Sequence, residues 1–441
     1  MSSGYEIIKG AIHGYIKVFD HERTIIDTPI FQRLRRITQN TGVHFTYPCA
    51  NHTRFSHSLG VMHVAGRFTE RLLEQIPKAS NKIKKRYYFL MRLWGLTHDI
   101  GQGPFSHLFD DIIFGPKYKT DHERFGAKIL RESHHLPDEL DIGNGIKITL
   151  GEVANLFEVK TIDDWPLTER IGQSDVNEKI FYYVCRGAYS ADIMDFLLRD
   201  SYFTGAGYGN VDWQRLVHAS KPVGDKVILD TRGEEAFDSL LLARLFMFSA
   251  VYYHRTTRAT TKIMGYYLNE AASLLDDFKE FITNLEKYTH LDEHSIMYFP
   301  ELLDSAYRKF LMEREIPYSR YVEEIRKPDI GISDKDLSKI LTSQTRERLP
   351  NNLKKSLPEE AFFVDTPIIP LNPMFGGEEE YIFLSDPNVS DGFRARRVWE
   401  TSWGILSKQV LLLRLFIHDK CLNQRNEIVN AFKMKGERTH F

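Results

Sequence analysis

Along the first patterned stretch, residues 5–26, apolar Ile12, Ile16 and Val18 alternate with polar neighbours, and Gly10 and Gly14 punctuate the run. Successive side chains of a strand face opposite ways, so the stretch reads as a short β-rich opening. The period changes at Asp27-Thr28-Pro29. Threonine or aspartate caps a helix and proline suits its first turn, and Phe31, Leu34 and Ile37 follow at helical spacing. From there to about 310 the pattern predicts helices over 57–76, 86–100, 121–133, 149–157, 175–200, 234–254 and 257–289. Glycine and proline gather between them, as in Gly101-Gln102-Gly103-Pro104. After about 315 the texture differs. Phe362-Phe363-Val364 and Tyr381-Ile382-Phe383-Leu384 read as strands, separated by a turn-rich stretch with Pro367, Pro370, Pro373, Gly376 and Gly377, and helix is expected again over 399–418. The expected fold is mainly α, with a helical body over 1–314 and a smaller α+β region over 315–441. No internal repeat or low-complexity segment interrupts it.

Composition narrows the function classes. A length of 441 residues exceeds one ordinary core, so a large domain with additions, or two domains, is expected. Hydrophobic residues at 42% and charged residues at 27% are ordinary for a globular chain. A net charge of −2 gives no global pull toward nucleic acid or an anionic membrane, so a polyphosphate site must be a local concentration of positive charge. Cys49, Cys185 and Cys421 are few, odd in number and far apart, which fits a reducing cytoplasm and no disulfide framework. The absence of a CxxC pair excludes a zinc ribbon. The opening residues lack the apolar core of a signal peptide. Leu240 to Tyr253, the most apolar run, is interrupted by Arg244 and too short to cross a bilayer, so a buried helix and no membrane partner are expected. The basic run Lys82, Lys84, Lys85 and Arg86 reads as solvated surface.

Eleven of the 17 histidines lie in the first 135 residues. The apolar segment from Leu90 to Leu96 ends in Thr97-His98-Asp99-Ile100-Gly101. Neighbours on a regular helix point about 100° apart, but at a helix end that breaks into a glycine loop both side chains can converge on one cation. Imidazole and carboxylate suit Zn, Mn or Fe. The pair alone reads equally as a packed histidine beside an aspartate bonded to a backbone amide.

The run His98-Asp99-Ile100-Gly101-Gln102-Gly103-Pro104-Phe105-Ser106-His107 resembles the core motif of the HD-domain phosphohydrolases. Arg54-Phe55-Ser56-His57-Ser58-Leu59-Gly60-Val61 resembles the segment that supplies their first metal histidine. With Asp27-Thr28-Pro29-Ile30-Phe31-Gln32-Arg33-Leu34-Arg35 in the same order, the pieces are most similar to the deoxynucleoside triphosphate triphosphohydrolases, including those that join a sterile-alpha-motif to an HD domain. The resemblance runs from about Ile12 to about Met264.

It implies an HD-domain helical core and one divalent transition metal (Zn, Mn or Fe) held by His57, His98, Asp99 and Asp192, with Mg accompanying a triphosphate. Helical spacing independently puts Asp192, Phe196 and Asp200 on one face and lets Asp195 pair with Arg199. By the same resemblance His107, Asp110 and His122 flank the scissile bond, Gln39 and Arg54 contact sugar and phosphate, and Asp200 reads the 3′-hydroxyl. Three positions depart from the vertebrate members. Gln102 replaces a relay histidine, Ile193 a phosphate-contacting lysine, and Phe196 a tyrosine at the sugar. His254 and Arg258 resemble a stretch that completes the pocket, where Arg258 could replace the lost phosphate contact. Asp27, Gln32 and Arg35 match contacts to a guanine nucleotide activator at a subunit interface, which implies a homo-oligomer. The implied reaction is hydrolysis of deoxynucleoside triphosphate to deoxynucleoside and triphosphate by metal-activated water. A broader nucleotide phosphatase or phosphodiesterase, or a catalytically weak nucleotide- or nucleic-acid-binding protein, are the rival readings.

Overall fold

A computed structural model describes residues 4–274, 278–326, 347, 349–370, 381–389, 392–398, 400–401, 404–405 and 409–432. The chain opens with an antiparallel hairpin of β1 (Tyr5–Gly10) and β2 (Gly14–Phe19). The β-rich opening stops there, because residues 20–26 form helix α1 (Asp20–Ile26), whose Glu22 accepts the Phe19 N–H at 3.0 Å. Thr28 caps α2 (Pro29–Gln32) by accepting from the Phe31 N–H, with Pro29 at its first position. Of the two candidate caps, threonine is the one used.

The core is built on α3 (Arg54–Glu74) and α4 (Asn81–Thr97). Phe55, Leu59, Val61, Met62 and Phe68 show that α3 is buried on nearly all sides, as befits a central helix. A Cβ on Gly95 would stand 2.9 Å from the Val61 carbonyl oxygen, so the two helices cross backbone to backbone. That crossing carries the end of α4, and His98 beyond it, toward His57. After the Gly101–Pro104 loop, α5 (His107–Phe109) runs into a π-helical segment, Asp110–Tyr118. Then come α6 (His122–Glu132), the hairpin of β3 (Glu139–Asp141) and β4 (Lys147–Thr149), and α7 (Leu150–Asn155).

The single helix expected over 175–200 is two, α8 (Ile180–Arg186) and α9 (Ala191–Thr204). Gly187 ends the first, and the Ser190 side chain caps the second at the Ile193 N–H. α10 (Trp213–Ala219) precedes a hairpin that the apolar pattern did not reveal, β5 (Ser220–Val223) and β6 (Lys226–Leu229). α11 (Glu234–Met247) continues as a π-helical turn, Phe248–Tyr252, and the chain breaks before α12 (Arg255–Leu274). Shorter helices, Phe278–Thr283 and Leu285–Tyr288, replace the expected continuation to 289.

The expected strands appear as β8 (Phe362–Asp365) and β10 (Tyr381–Ser385), joined by β7 (Tyr318–Arg326), β9 (Ile368–Pro370) and β11 (Phe393–Arg397). The helix expected over 399–418 is wrong. That stretch holds β12 (Glu400–Thr401), β13 (Gly404–Ile405) and β14 (Gln409–His418). β14 lies inside its sheet, antiparallel to β7 on one side and to β8 and β9 on the other. Arg414, Leu415, Phe416 and Ile417 are buried in succession, so both faces of β14 are covered there, and such a run cannot be separated by periodicity from a buried helix. Pro373, Gly376 and Gly377 lie outside the described residues. β10 pairs in parallel with β6, so one sheet, ordered β11-β10-β6-β5, draws on residues 220–229 and 381–397 together. The fold is mainly α, a helical core with a smaller α+β region. Among the described residues no single helix is long and apolar enough to cross a membrane.

Candidate metal centre and active site

Three helices bring His57, His98, Asp99 and Asp192 to one point. His57 lies one turn into α3, His98 caps α4 with Asp99 next to it, and Asp192 stands in the first turn of α9. His57 Nε2 is 3.0 Å from Asp192 Oδ1 and 3.8 Å from Asp99 Oδ2. His98 Nε2 is 3.5 Å from Asp99 Oδ2 and 3.8 Å from Asp192 Oδ1. His98 Nδ1 donates to the Gly95 carbonyl at 2.9 Å, which leaves Nε2 as the free donor atom; that nitrogen is buried and has no hydrogen-bond partner. A buried bare imidazole nitrogen facing two carboxylates and a second imidazole is what a divalent cation would satisfy. The Asp192 side chain is 38% exposed while those of His57 and Asp99 are nearly inaccessible, so the open side of the site is the Asp192 side.

Charge holds the two carboxylates of this cluster ionised. Burial pushes the Asp99 carboxyl up, but the Arg54 guanidinium at 2.8 Å, with His98 and His57, more than reverses this and holds it well below the usual range. Burial likewise pulls His57 down, and its hydrogen bonds to Asp192 and Asp195 carry it up to about 9 before any cation competes for Nε2. Arg54, read from sequence as a phosphate contact, is fully engaged. Nη1 holds Asp99, Nε donates to Ser106 Oγ at 3.1 Å and Nη2 to the Gln39 carbonyl at 3.2 Å.

Beside the ligands stands a second group. His122 Nδ1 donates to Asp110 Oδ2 at 2.6 Å, and the His122 backbone N–H donates to Asp110 Oδ1 at 2.9 Å. His107 Nδ1 is 3.4 Å from the same Oδ2, with its own ring largely exposed. Burial depresses His122, yet the Asp110 carboxylate outweighs it and raises its pKa. The arrangement can hold a proton on an imidazole at the edge of a cleft.

That cleft is a cavity of about 1000 Å³ lined by His98, Asp99, Asp192, His107 and His122. Gln39, Arg54, Phe196, Asp200 and Arg258 also line it, so Asp192, Phe196 and Asp200 share the face that helical spacing gave them. Both Asp200 oxygens are occupied, Oδ1 by His52 Nε2 at 2.7 Å and Oδ2 by the Tyr252 hydroxyl at 2.6 Å. The Arg258 guanidinium is paired with Asp365 of β8 at 2.7 Å. The break between Phe248–Tyr252 and α12 turns His254 away, and it does not line the cavity. Gln102 does not line it either. Its side chain is wholly buried with neither amide atom hydrogen-bonded, and its carbonyl accepts from Arg33 at 2.7 Å. On the surface, Asp27 follows α1, and Gln32 accepts from Arg35 Nε at 2.7 Å while donating to the Ile26 carbonyl at 2.7 Å.

Comparison with known proteins agrees with this geometry. Residues 54–171 match the model of the HD domain, and residues 211–315 match that of an HD-associated region. The chain thus carries an HD domain followed by an HD-associated region. HD domains bind a divalent metal, and the cluster of His57, His98 and Asp99 fits such a site. A deoxynucleoside triphosphate triphosphohydrolase SAMHD1 homolog of Dictyostelium discoideum is 31% identical over 63% of this chain and 52% of its own length. An uncharacterized protein of Bacillus subtilis, YwfO, is 29% identical over 67% of this chain and 65% of its own. The chain thus spans between half and two thirds of these relatives. A crystal structure of a hypothetical protein from Aquifex aeolicus shares the fold over 98% of this chain and 100% of that one, with a TM-score of 0.70 at 23% identity.

Sequence reasoning missed several residues of this HD protein's site. Arg244 and Arg186 line the cavity, as do Lys160 and Tyr252. Arg244 had a signal, since it is a lone cation in the apolar run Leu240–Tyr253. Its guanidinium stands 4.8 Å from the Phe248 ring and 5.9 Å from that of Phe196. Burial lowers its pKa to about 10. Asp195, set aside as an Arg199 partner, does bind Arg199 but also the Nδ1 side of His57.

Proposed function

We propose that this protein hydrolyses nucleotide phosphoanhydrides or phosphoesters, with deoxynucleoside triphosphate, split into deoxynucleoside and tripolyphosphate, as the leading substrate. One observation carries the reading: His57, His98, Asp99 and Asp192 converge, and the last three line a cavity of about 1000 Å³. The similarity to a protein named as a triphosphohydrolase supports the substrate class.

When bound, a divalent ion supplies a water of lowered pKa and polarises a phosphoryl oxygen. Arg54 keeps Asp99 ionised and aimed. His122, its pKa raised by Asp110, lines the cleft where it can protonate a leaving oxygen, and His107 lines the same cleft. Arg244 takes over phosphate binding from the absent lysine at Ile193, since Arg258 is committed to Asp365. Asp200, ordered by His52 and Tyr252, reads the sugar hydroxyl. A guanine nucleotide activator at Asp27, Gln32 and Arg35, acting through a homo-oligomer, completes the proposal.

Incubation of the four dNTPs, the NTPs and generic phosphodiesters with Mn, Fe, Zn or Mg, followed by chromatography, tests it. Free deoxynucleoside and tripolyphosphate are expected. Orthophosphate or pyrophosphate without free nucleoside would move the assignment to a broader phosphatase.

A further inference from the structure

The turn between β1 and β2 reaches into the protein. His13, at that turn, has a side chain only 1% exposed. Its Nε2–H donates to Asp195 Oδ1 at 2.7 Å. The other oxygen of the same carboxylate, Oδ2, accepts His57 Nδ1–H at 2.7 Å. Arg199 grips both oxygens at 2.8 Å, so one wholly buried carboxylate takes four donors. The space for it is made on α3. A Cβ on Gly60, three residues after His57, would fall 1.8 Å from Asp195 Oδ1. Trp213 sets its ring edge-on against His13 at 5.3 Å, which fixes the plane of the imidazole.

We infer that the N-terminal hairpin is part of the metal centre: His13 positions Asp195, and Asp195 locks His57 with Nε2 turned to the metal position. An imidazole that donates through Nδ1 can ligate only through Nε2, so the Asp195 bond selects both the tautomer and the ring angle. Arg199 holds both oxygens from one turn along the same helix, and His57, the group to be oriented, holds Oδ2. His13 comes from outside that helix and holds Oδ1. The hairpin, distant in sequence from every ligand, thereby sets how tightly the metal is held. This inference rests on His57, His98, Asp99 and Asp192 being the metal site and is independent of the nucleotide substrate.

The test is metal affinity. Chelator-treated full-length protein is titrated with Co(II), read by its visible d–d absorption and by elemental analysis, and the metal-free forms are melted in parallel. His13→Ala is expected to bind Co(II) about 10- to 100-fold more weakly, the usual cost of removing a residue that orients a ligand, with an altered spectrum. His13→Gln, whose amide N–H reaches the position of Nε2–H, is expected to restore affinity and spectrum. His13→Asn, one atom shorter, is expected to behave as His13→Ala. A purely structural role would lower the melting temperature and leave affinity alone. Unchanged affinity in a folded His13→Ala overturns the inference. Should that variant not fold, equal affinities of His13→Asn and His13→Gln overturn it. A wild-type protein that binds no Co(II) would instead overturn the metal site itself.

Discussion

Asp192 and His98 are more exposed than the other two candidate ligands, His57 and Asp99, and that makes them the first residues to remove. The Asp192 side chain is 38% exposed and that of His98 13%. Asp192→Ala is expected to lose bound metal and turnover while its metal-free form stays folded, melting somewhat below wild type because the buried His57 loses one of its two carboxylate partners. His98→Ala should lose metal too, and elemental analysis beside thermal melts checks both. Normal metal content in an active Asp192→Ala protein would refute the ligand assignment. His63 makes a separate prediction about acid. Burial, with the His13 ring and the charges of Arg92 and Arg67, depresses its pKa to about 4. The unfolded chain binds that proton near pH 6.5, so the stability from keeping His63 neutral is full above that value and is lost as pH falls toward 4. The melting-temperature difference between wild type and His63→Gln should therefore swing toward the variant between pH 7 and pH 4.5. A difference independent of pH would show that His63 does not titrate as described.

Between elements, a buried ion pair clamps α1 on α4. Arg92 binds both Glu22 oxygens, at 2.6 and 2.8 Å, and the Lys17 carbonyl at 2.7 Å, with the pair almost inaccessible to water. Breaking one side of a buried pair strands the other charge, so Glu22→Ala is expected to cost about 3–5 kcal/mol in denaturant unfolding. Replacing both, as Glu22→Leu with Arg92→Met, should recover much of the loss. If the double variant is no more stable than the single one, the stranded charge is not the cause. The hairpin that carries His13 follows directly onto α1, so this clamp also seats the turn that reaches Asp195. Helix existence was legible from the 3.6-residue period, and helix ends were legible where a capping side chain stood in the sequence, as at Thr28. The split between α8 and α9 had such a signal, Gly187 followed by the capping Ser190, but the apolar residues at helical spacing on both sides masked it.

Across the whole molecule, residues far apart in sequence share one cavity wall. Arg258 of α12 is tied to Asp365 of β8, and β6 pairs with β10, so the last third of the chain braces the pocket that the first half supplies with ligands. The proposed activator residues lie on the outer surface, where only a second subunit or a nucleotide could tie them to the cleft. GTP or dGTP is expected to raise the rate on other dNTPs and shift the protein to a larger oligomer in sedimentation, and Arg35→Ala is expected to blunt both effects. A constant rate and mass would dismiss the activator. The amino-acid order by itself determined the helical body, the ligand motif His98-Asp99 with His57 and Asp192, and the face shared by Asp192, Phe196 and Asp200. The helical body and the shared face follow from local periodicity, and the candidate ligand set follows from the resemblance of its motifs to the HD pattern. Only the tertiary structure decided that β14 is a strand, because a run buried on both faces has no period to read. It alone decided that Arg54 serves Asp99, that Arg258 is spent on Asp365 and that Arg244 faces the cavity, since an arginine's partner is chosen by which backbones come together. The approach of His13 to Asp195 belongs to the same class: 182 residues separate them, and only the packing of the hairpin against α3 and α9 makes them neighbours.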